Sequence, residues 1–380
     1  MIYFDNSATT KPYKEVLDSF VAVSQTYFGN PSSLHGMGIQ AEKLLTLARK
    51  QIAEILEVKE EEIIFTSGGT EANNLAIKGI AQRYKKRGNH IITTEIEHSS
   101  VKNTCEQLEA EGFEVTYLPV DSNGHVCLED LKAAIKEETI LVSIMHVNNE
   151  VGSVQPIVEI GNYLKQFPSI KFHVDNIQGF SKIPLSIKEA NITAYTLSGH
   201  KFHGLKGTGL LVLRQGIELI PQLAGGGQEK KKRSGTENVA GIVALAKALR
   251  MAKENEKTKL DHLTSISNYL KTELEKMDRV VVHTPKENFA PHIINVSVLG
   301  VKAETFVHAL ERDEVYVSTT SACSSKAKKV SGTLAFMNKS QEEITSSIRI
   351  SLNFDNTLEE AKQFIKIFNK TLSDIRKVVE

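Results

Sequence analysis

The sequence predicts an α/β fold: a large domain built on a seven-stranded mixed, mostly parallel sheet layered between helices, with a smaller α+β domain beside it. Three observations carry this. Between about residues 40 and 215, short apolar runs alternate with segments of helical period. A chain of 380 residues exceeds what one core usually serves, so a second domain is expected. After "GGGQEKKKRSGTENVAG" the pattern changes to one long helical region followed by a strand-rich remainder.

In chain order, "AEKLLTLARKQIAEIL" spaces its apolar residues as an amphipathic helix, "EEIIFTSGG" is a strand running into a glycine turn, and "TEANNLAIKGIAQRY" is a helix. "NHIITTEI" is a strand, with a helix from about Ser99, and "FEVTYLPV" another strand before the helix "LEDLKAAIKE". "TILVSIMHV", "IKFHVD", "AYTLSG" and "GTGLLVL" complete the seven. Beyond "GGGQEKKKRSGTENVAG", a helical stretch to about Met277 bridges to strands at "VVVHT", "HIINVSV" and "SSIRISL" and a final helix, "TLEEAKQFIKIFNKTLSDIRKVV". The expected division is 14–258 for the large domain and 1–13 with 259–380 for the small one.

Lys+Arg 46 equals Asp+Glu 46, so no global charge favours nucleic acid or a membrane surface, and neither is expected as a partner. No apolar run approaches the roughly 20 residues of a membrane helix, and the opening "MIYFDNSATTKPY" lacks a signal pattern; the expected location is the cytoplasm. The three cysteines, Cys105, Cys127 and Cys323, form no C-x-x-C pair, and no metal site is expected. Cys105 and Cys127 read as small hydrophobic filler. Cys323 lies in the polar stretch "STTSACSSKAKK", a place for an accessible thiol.

The stretch "TLSGHKFHGLKGTG" sets Lys201 among glycines and histidines at a strand end. A phosphate-binding P-loop requires Lys directly after the closing glycine, whereas Leu205 follows Gly204. A turn lysine and a carbonyl-reactive amine remain open, and the second needs partners. "TSGGTEANN" offers one: a strand-to-helix turn whose free N–H groups at Gly69 and Thr70 make an anion site, or a plain turn. "FHVDNIQG" leaves Asp175 after apolar positions, as an N-cap or as the partner of a buried cation, with Gln178 three residues on. His98 in "TTEIEHSS" could stack on a flat ring and move protons. Asn148 and Asn149 in "MHVNNEVGSVQP" suit a ligand or a turn. All share one end of successive strands, where open α/β sheets bind ligands. A lysine, a phosphate cradle, an acid and a stacking group are together what pyridoxal phosphate requires.

With "YFDNSATT", "GNPSSLH", "TSGGTEANNLAIKG", "EIEHSSV", "VSIMHVNNEVGSVQPI", "HVDNIQG", "SGHKFHGLKG", "GGGQEKKKRSGTEN", "TSACSS" and "SSIRISL" in order, the chain resembles, end to end, the pyridoxal-phosphate cysteine desulfurases of the NifS/IscS kind, within the fold-type I enzymes. The resemblance implies that Lys201 joins the cofactor aldehyde, Asp175 pairs with the pyridine nitrogen, Gln178 bonds the ring oxygen and His98 stacks. It implies Thr70, Ser198 and His200 on the phosphate, with Thr236 reaching across from the second subunit of a homodimer. Asn149 and Arg349 would hold the substrate carboxylate, and Cys323 would accept sulfur from L-cysteine for an acceptor protein, such as an iron–sulfur scaffold or a tRNA-thiolation enzyme. A selenocysteine lyase or aminotransferase on the same fold, and an inactive sulfur carrier, are the competing readings. Twenty-six positions separate Cys323 from Arg349, which resembles the long cysteine loop of the NifS/IscS branch. Asn176 stands where a small residue beside the ring is usual, and Thr320 where glycine is common.

Overall fold

The computed structural model describes residues 1–319 and 332–379. Its strands are β1 Ile2–Tyr3, β2 Ile63–Thr66, β3 His90–Thr94, β4 Glu114–Leu118, β5 Thr139–Met145, β6 Lys171–Asp175, β7 Ala194–Ser198, β8 Gly209–Leu213, β9 Val280–Val282, β10 Ile293–Val298, β11 Val315–Tyr316, β12 Ser318–Thr319 and β13 Ser347–Ser351. Its helices are α1 Lys14–Thr26, α2 Gly36–Leu56, α3 Gly69–Tyr84, α4 Ser99–Ala110, α5 Leu128–Ala134, α6 Ile157–Leu164, α7 Val239–Glu275, α8 Ala303–Glu311, α9 Gly332–Phe336, α10 Gln341–Thr345 and α11 Leu358–Val379.

The large sheet has the order β2-β8-β7-β6-β5-β3-β4. Only β8 runs antiparallel to its neighbours, so β2, β3, β5, β6 and β7 all end at one edge. Strands β5 to β8 are buried along their whole length, as expected of a sheet covered on both faces. One apolar cluster joins one face to α2, α6 and the first half of α7; another joins the other face to α3 and α4.

A four-stranded antiparallel sheet, β12-β13-β10-β9, makes the second unit. Its core contains Leu263, Ile266 and Leu270 of α7 together with Phe364 and Phe368 of α11. Helix α7 therefore packs into the cluster around the seven-stranded sheet up to Ala252 and into that of the four-stranded sheet from Leu260 onward. The N-terminal segment joins the second unit: β1 pairs with β11, and Asp5 bridges to Ser351.

Candidate active site

Because the parallel strands end together, the residues just past them meet. A cavity of about 380 Å³ opens at that edge, bounded by Gly68, Gly69 and Thr70 after β2, His98 after β3, Asn149 after β5, Asp175 at the end of β6, and Ser198 to Lys201 after β7. The sheet topology places these five separate segments of sequence around one volume.

At one end is the β2–α3 turn. Gly68 has φ 152 and ψ -175, backbone that only glycine adopts readily, and a Cβ on Gly209 would lie 2.6 Å from the Gly68 Cα. This close approach brings the first turn of α3, whose N–H groups lack intrahelical partners, beside Ser198 and His200. Glu71 accepts from the Ser67 N–H at 2.8 Å and pairs with Arg233 at 2.8 Å, tying the turn to the 225–238 segment. The "KKKR" run is thus partly committed: Lys230 and Lys231 are exposed, while Arg233 is ion-paired. His200 accepts or donates at Thr9 Oγ1, and burial, with Lys201 and Lys206 nearby, pushes its imidazole down to about 4; it is neutral at physiological pH.

At the other end, Asp175 is buried. It accepts from Asn73 Nδ2 at 2.7 Å and from the Ile177 N–H at 3.0 Å, neutral donors both. The second bond is the cap-like turn the sequence allowed; the first shows that the carboxylate also faces inward. Lys201 Nζ donates to the carbonyls of Ser7 at 2.5 Å and Ala8 at 2.9 Å, and Gln178 Nε2 to Ser7 at 3.1 Å, so the N-terminal segment forms a wall of the cavity. His98 also faces this space; burial, and Lys201 with it, keeps its imidazole below the ordinary histidine value against the opposing pull of Asp175.

The remaining sequence candidates are placed as follows. Asn148 is fully buried and serves the turn, its Oδ1 accepting from the N–H groups of Glu150 and Val151, while Asn149 lines the cavity. Asn176 does not line the cavity: its Oδ1 meets His146 Nδ1 at 2.6 Å and its Nδ2 donates to the Tyr195 hydroxyl at 2.5 Å. Cys127 is exposed at the start of α5 and is not core filler, whereas Cys105 is buried in α4 with its thiol pushed up to about 12. Arg349 lies behind the cavity wall, donating to the Asn149 carbonyl at 2.9 Å and pairing with Asp5 at 3.1 Å. Thr236 is exposed and borders a neighbouring cleft with Arg233 and Asn238, not the cavity of its own chain. Cys323 and Thr320 lie outside the described residues.

Asn73, Ser100, Asp5 and Lys206 are parts of this region to which sequence reasoning gave no role. Asn73 and Asp5 stand inside stretches already singled out, "TEANN" and "YFDNSATT". Helical spacing places Asn73 one turn past the glycine turn, the only signal that it would face the strand ends.

The class-V aminotransferase family model matches residues 2–364. A "NifS/IcsS protein homolog" of Lactobacillus delbrueckii subsp. bulgaricus is 47% identical over 380 residues, 100% of this chain and 99% of its own. A "Cysteine desulfurase IscS" of Clostridium botulinum (strain Hall) is 41% identical over 380 residues, 99% of this chain and 96% of its own. A solved "NIFS-LIKE PROTEIN" superposes with a TM-score of 0.93 at 38% identity, over 98% of this chain and 99% of its own. A cavity built at the strand ends around a lysine and a buried aspartate agrees with these matches, and the chain belongs to the class-V aminotransferases and, among them, to the pyridoxal-phosphate-dependent cysteine desulfurases of the NifS/IscS kind.

Proposed function

We propose that the cavity holds pyridoxal phosphate and that the protein converts L-cysteine to L-alanine, retaining the sulfur as a persulfide on Cys323. The observation that carries this is Asp175, a carboxylate buried in the cavity wall whose partners among the described residues are neutral donors. A buried carboxylate is costly without a cation, and a protonated pyridine nitrogen answers that need. The residues at the opposite end fit a phosphate: helix-terminal N–H groups with the hydroxyls of Thr70 and Ser198 and the neutral imidazole of His200.

When bound, the cofactor supplies an electron sink for bonds at the substrate's Cα. Lys201 would hold the cofactor's aldehyde and, once released from it, take and return the proton at that Cα through Nζ. Gln178 would donate to the ring oxygen, and His98 would cover the ring face. Asn149 would hold the substrate carboxylate together with Arg349, whose planar guanidinium would exchange its bonds to the Asn149 carbonyl and Asp5 for the carboxylate. Cys323 Sγ would take the sulfur, so that cysteine and a thiol become alanine and a persulfide with atoms and electrons balanced. Burial of Cys105 in α4 argues against its doing this instead.

The same reading includes a homodimer in which Thr236 completes the partner's phosphate site, a cytoplasmic location, and delivery of sulfur to an acceptor protein. The exposure of Thr236 away from its own cavity supports the first of these. The proposed domain division at 14–258 is supported by the change of apolar cluster along α7.

The test is alanine formation from L-cysteine with no keto acid present. Lys201→Ala should lose both turnover and the visible absorption of the bound cofactor. Cys323→Ser should keep the absorption, and its alanine production should fall by at least about a hundredfold, since serine is far less ionised than a thiol of pKa about 8.5 and cannot carry a persulfide. Parent-level alanine from Cys323→Ser, or a persulfide found by mass spectrometry on Cys105 or Cys127, would refute the assignment.

A further inference from the structure

A chain of hydrogen bonds runs from Asp175 to His98, and the direction of each is fixed by chemistry. Asn73 is fully buried and has its side-chain amide between two groups: Nδ2 is 2.7 Å from Asp175 Oδ2 and 2.9 Å from Ser100 Oγ. Turning this amide over would set its oxygen against the Asp175 carboxylate, so Nδ2 must face that way. The cost of this orientation is visible at the other end, where Asn73 Oδ1 is buried without a hydrogen-bond partner among the described residues. Both amide protons are therefore used, one on Asp175 and one on Ser100.

Ser100 continues the chain. Its Oγ accepts from Asn73 and lies 2.8 Å from His98 Nδ1, while its backbone N–H lies 3.1 Å from the same nitrogen. A backbone N–H only donates, so His98 Nδ1 bears no proton. The Ser100 Oγ–H must then also point to Nδ1, leaving the Oγ lone pairs for Asn73. With Nδ1 accepting from two donors, the imidazole proton is on Nε2, the nitrogen with no protein partner among the described residues, on a ring that lines the cavity.

We propose that Asn73 and Ser100 are positioning residues that lock His98 as the neutral Nε2–H tautomer, so that it faces the contents of the cavity as a hydrogen-bond donor and not as a proton acceptor. Protonating Nδ1 would set N–H against N–H across 3.1 Å, which disfavours the imidazolium as well. In the reaction proposed above, on which this use of the donor rests, the Cα proton then belongs to Lys201, and His98 covers and orients. The expectation that His98 itself carries protons is narrowed accordingly.

The tautomer can be read without turnover. Full-length protein with ring-15N-labelled histidine is recorded with cofactor bound and again after its removal, and the His98 signals are assigned by their loss in His98→Gln. The expected result in both states is one pyridine-type Nδ1 shifted by hydrogen bonding and one protonated Nε2. Ser100→Ala and Asn73→Leu should each move the Nδ1 resonance toward that of a free pyridine-type nitrogen, while the Ser100 backbone N–H keeps the proton on Nε2. Ser100→Thr, which keeps the hydroxyl, should restore the parent spectrum, a result that general loss of packing would not give. A parent spectrum with Nδ1 protonated, or an Nδ1 resonance unmoved in both Ser100→Ala and Asn73→Leu, would overturn the proposal. Neither result depends on whether the protein desulfurates cysteine, so failure of this inference and failure of the proposed function are distinguishable.

Discussion

Glu97 shows how closely the site's electrostatics bear on the fold at the scale of one residue. It precedes His98 in sequence, is buried, and accepts through Oε1 from the Met145 N–H at 2.8 Å and Thr94 Oγ1 at 2.9 Å, while Oε2 has no partner among the described residues. Burial, with Asp175 adding to it, pushes its carboxyl up to about 8. Between the ordinary carboxylate range and that value the folded protein holds a proton that the unfolded chain has lost. Stability contributed by Glu97 is therefore present in acid and declines as pH rises toward 8, by about 1.4 kcal/mol per pH decade. Glu97→Gln, which cannot ionise, should flatten the fall of the urea midpoint across this interval; an unchanged slope would show that Glu97 is charged in the fold. Asp175, Lys201, Gly69 and Asn149 were legible in the sequence because an isolated polar residue ending an apolar strand is conspicuous. Asn73 and Ser100 were not, because a buried polar residue on a helix looks like any surface residue until the sheet it faces is known.

At the scale of the element, the seven strands of the large sheet and the helices that cover it were legible because their periods are long enough to count. The two-residue strands β1, β11 and β12 carry no period at all and are defined by their partners. Helix α5 stops at Ala134, short of the stretch read as helical, because Lys136 and Thr139 form a turn instead, with the Lys136 N–H donating to Thr139 Oγ1 at 2.8 Å. Helix α6 shows how a single missing side chain seats an element. A Cβ on Gly161 would lie 1.7 Å from the Ala190 carbonyl oxygen, so this helix rests directly on backbone. Gly161→Ala must displace α6 or the 184–192 segment, and a loss of about 1–3 kcal/mol is expected from chemical denaturation followed by circular dichroism. The alanine would favour the helix itself by nearly 1 kcal/mol, so a net gain in stability would show that this packing is loose.

For the whole molecule, the two cores were legible as a change of pattern, while what joins them was not. Besides α7, the junction contains Lys182 from the segment after β6, buried with its Nζ 3.5 Å from the centre of the Phe354 ring. Burial brings its amine down to about 7, against the pull of Asp355 and Glu256. Here the unfolded chain binds the extra proton, so the contribution of Lys182 to stability rises with pH from about 7 toward the ordinary lysine value of about 10.4, by about 1.4 kcal/mol per decade. Lys182→Met should stabilise the protein most at about pH 7, with the advantage over the parent shrinking as pH approaches about 10; a constant difference would place the charge elsewhere. The N-terminal wall of the cavity has a consequence of another kind, for biosynthesis. Asn6 meets Ser351 across 345 positions of chain, and the neighbouring Ser7 and Ala8 carbonyls are those that receive Lys201. On the ribosome the large sheet can form while the partners of β1 are still unmade, since domains fold as units as they emerge. During that interval the wall is held by its bonds to the 200–203 segment, such as Thr10 Oγ1 to the His200 carbonyl, and lacks its anchor at Ser351. Completion of the active site is thereby tied to synthesis of the segment that carries Ser351.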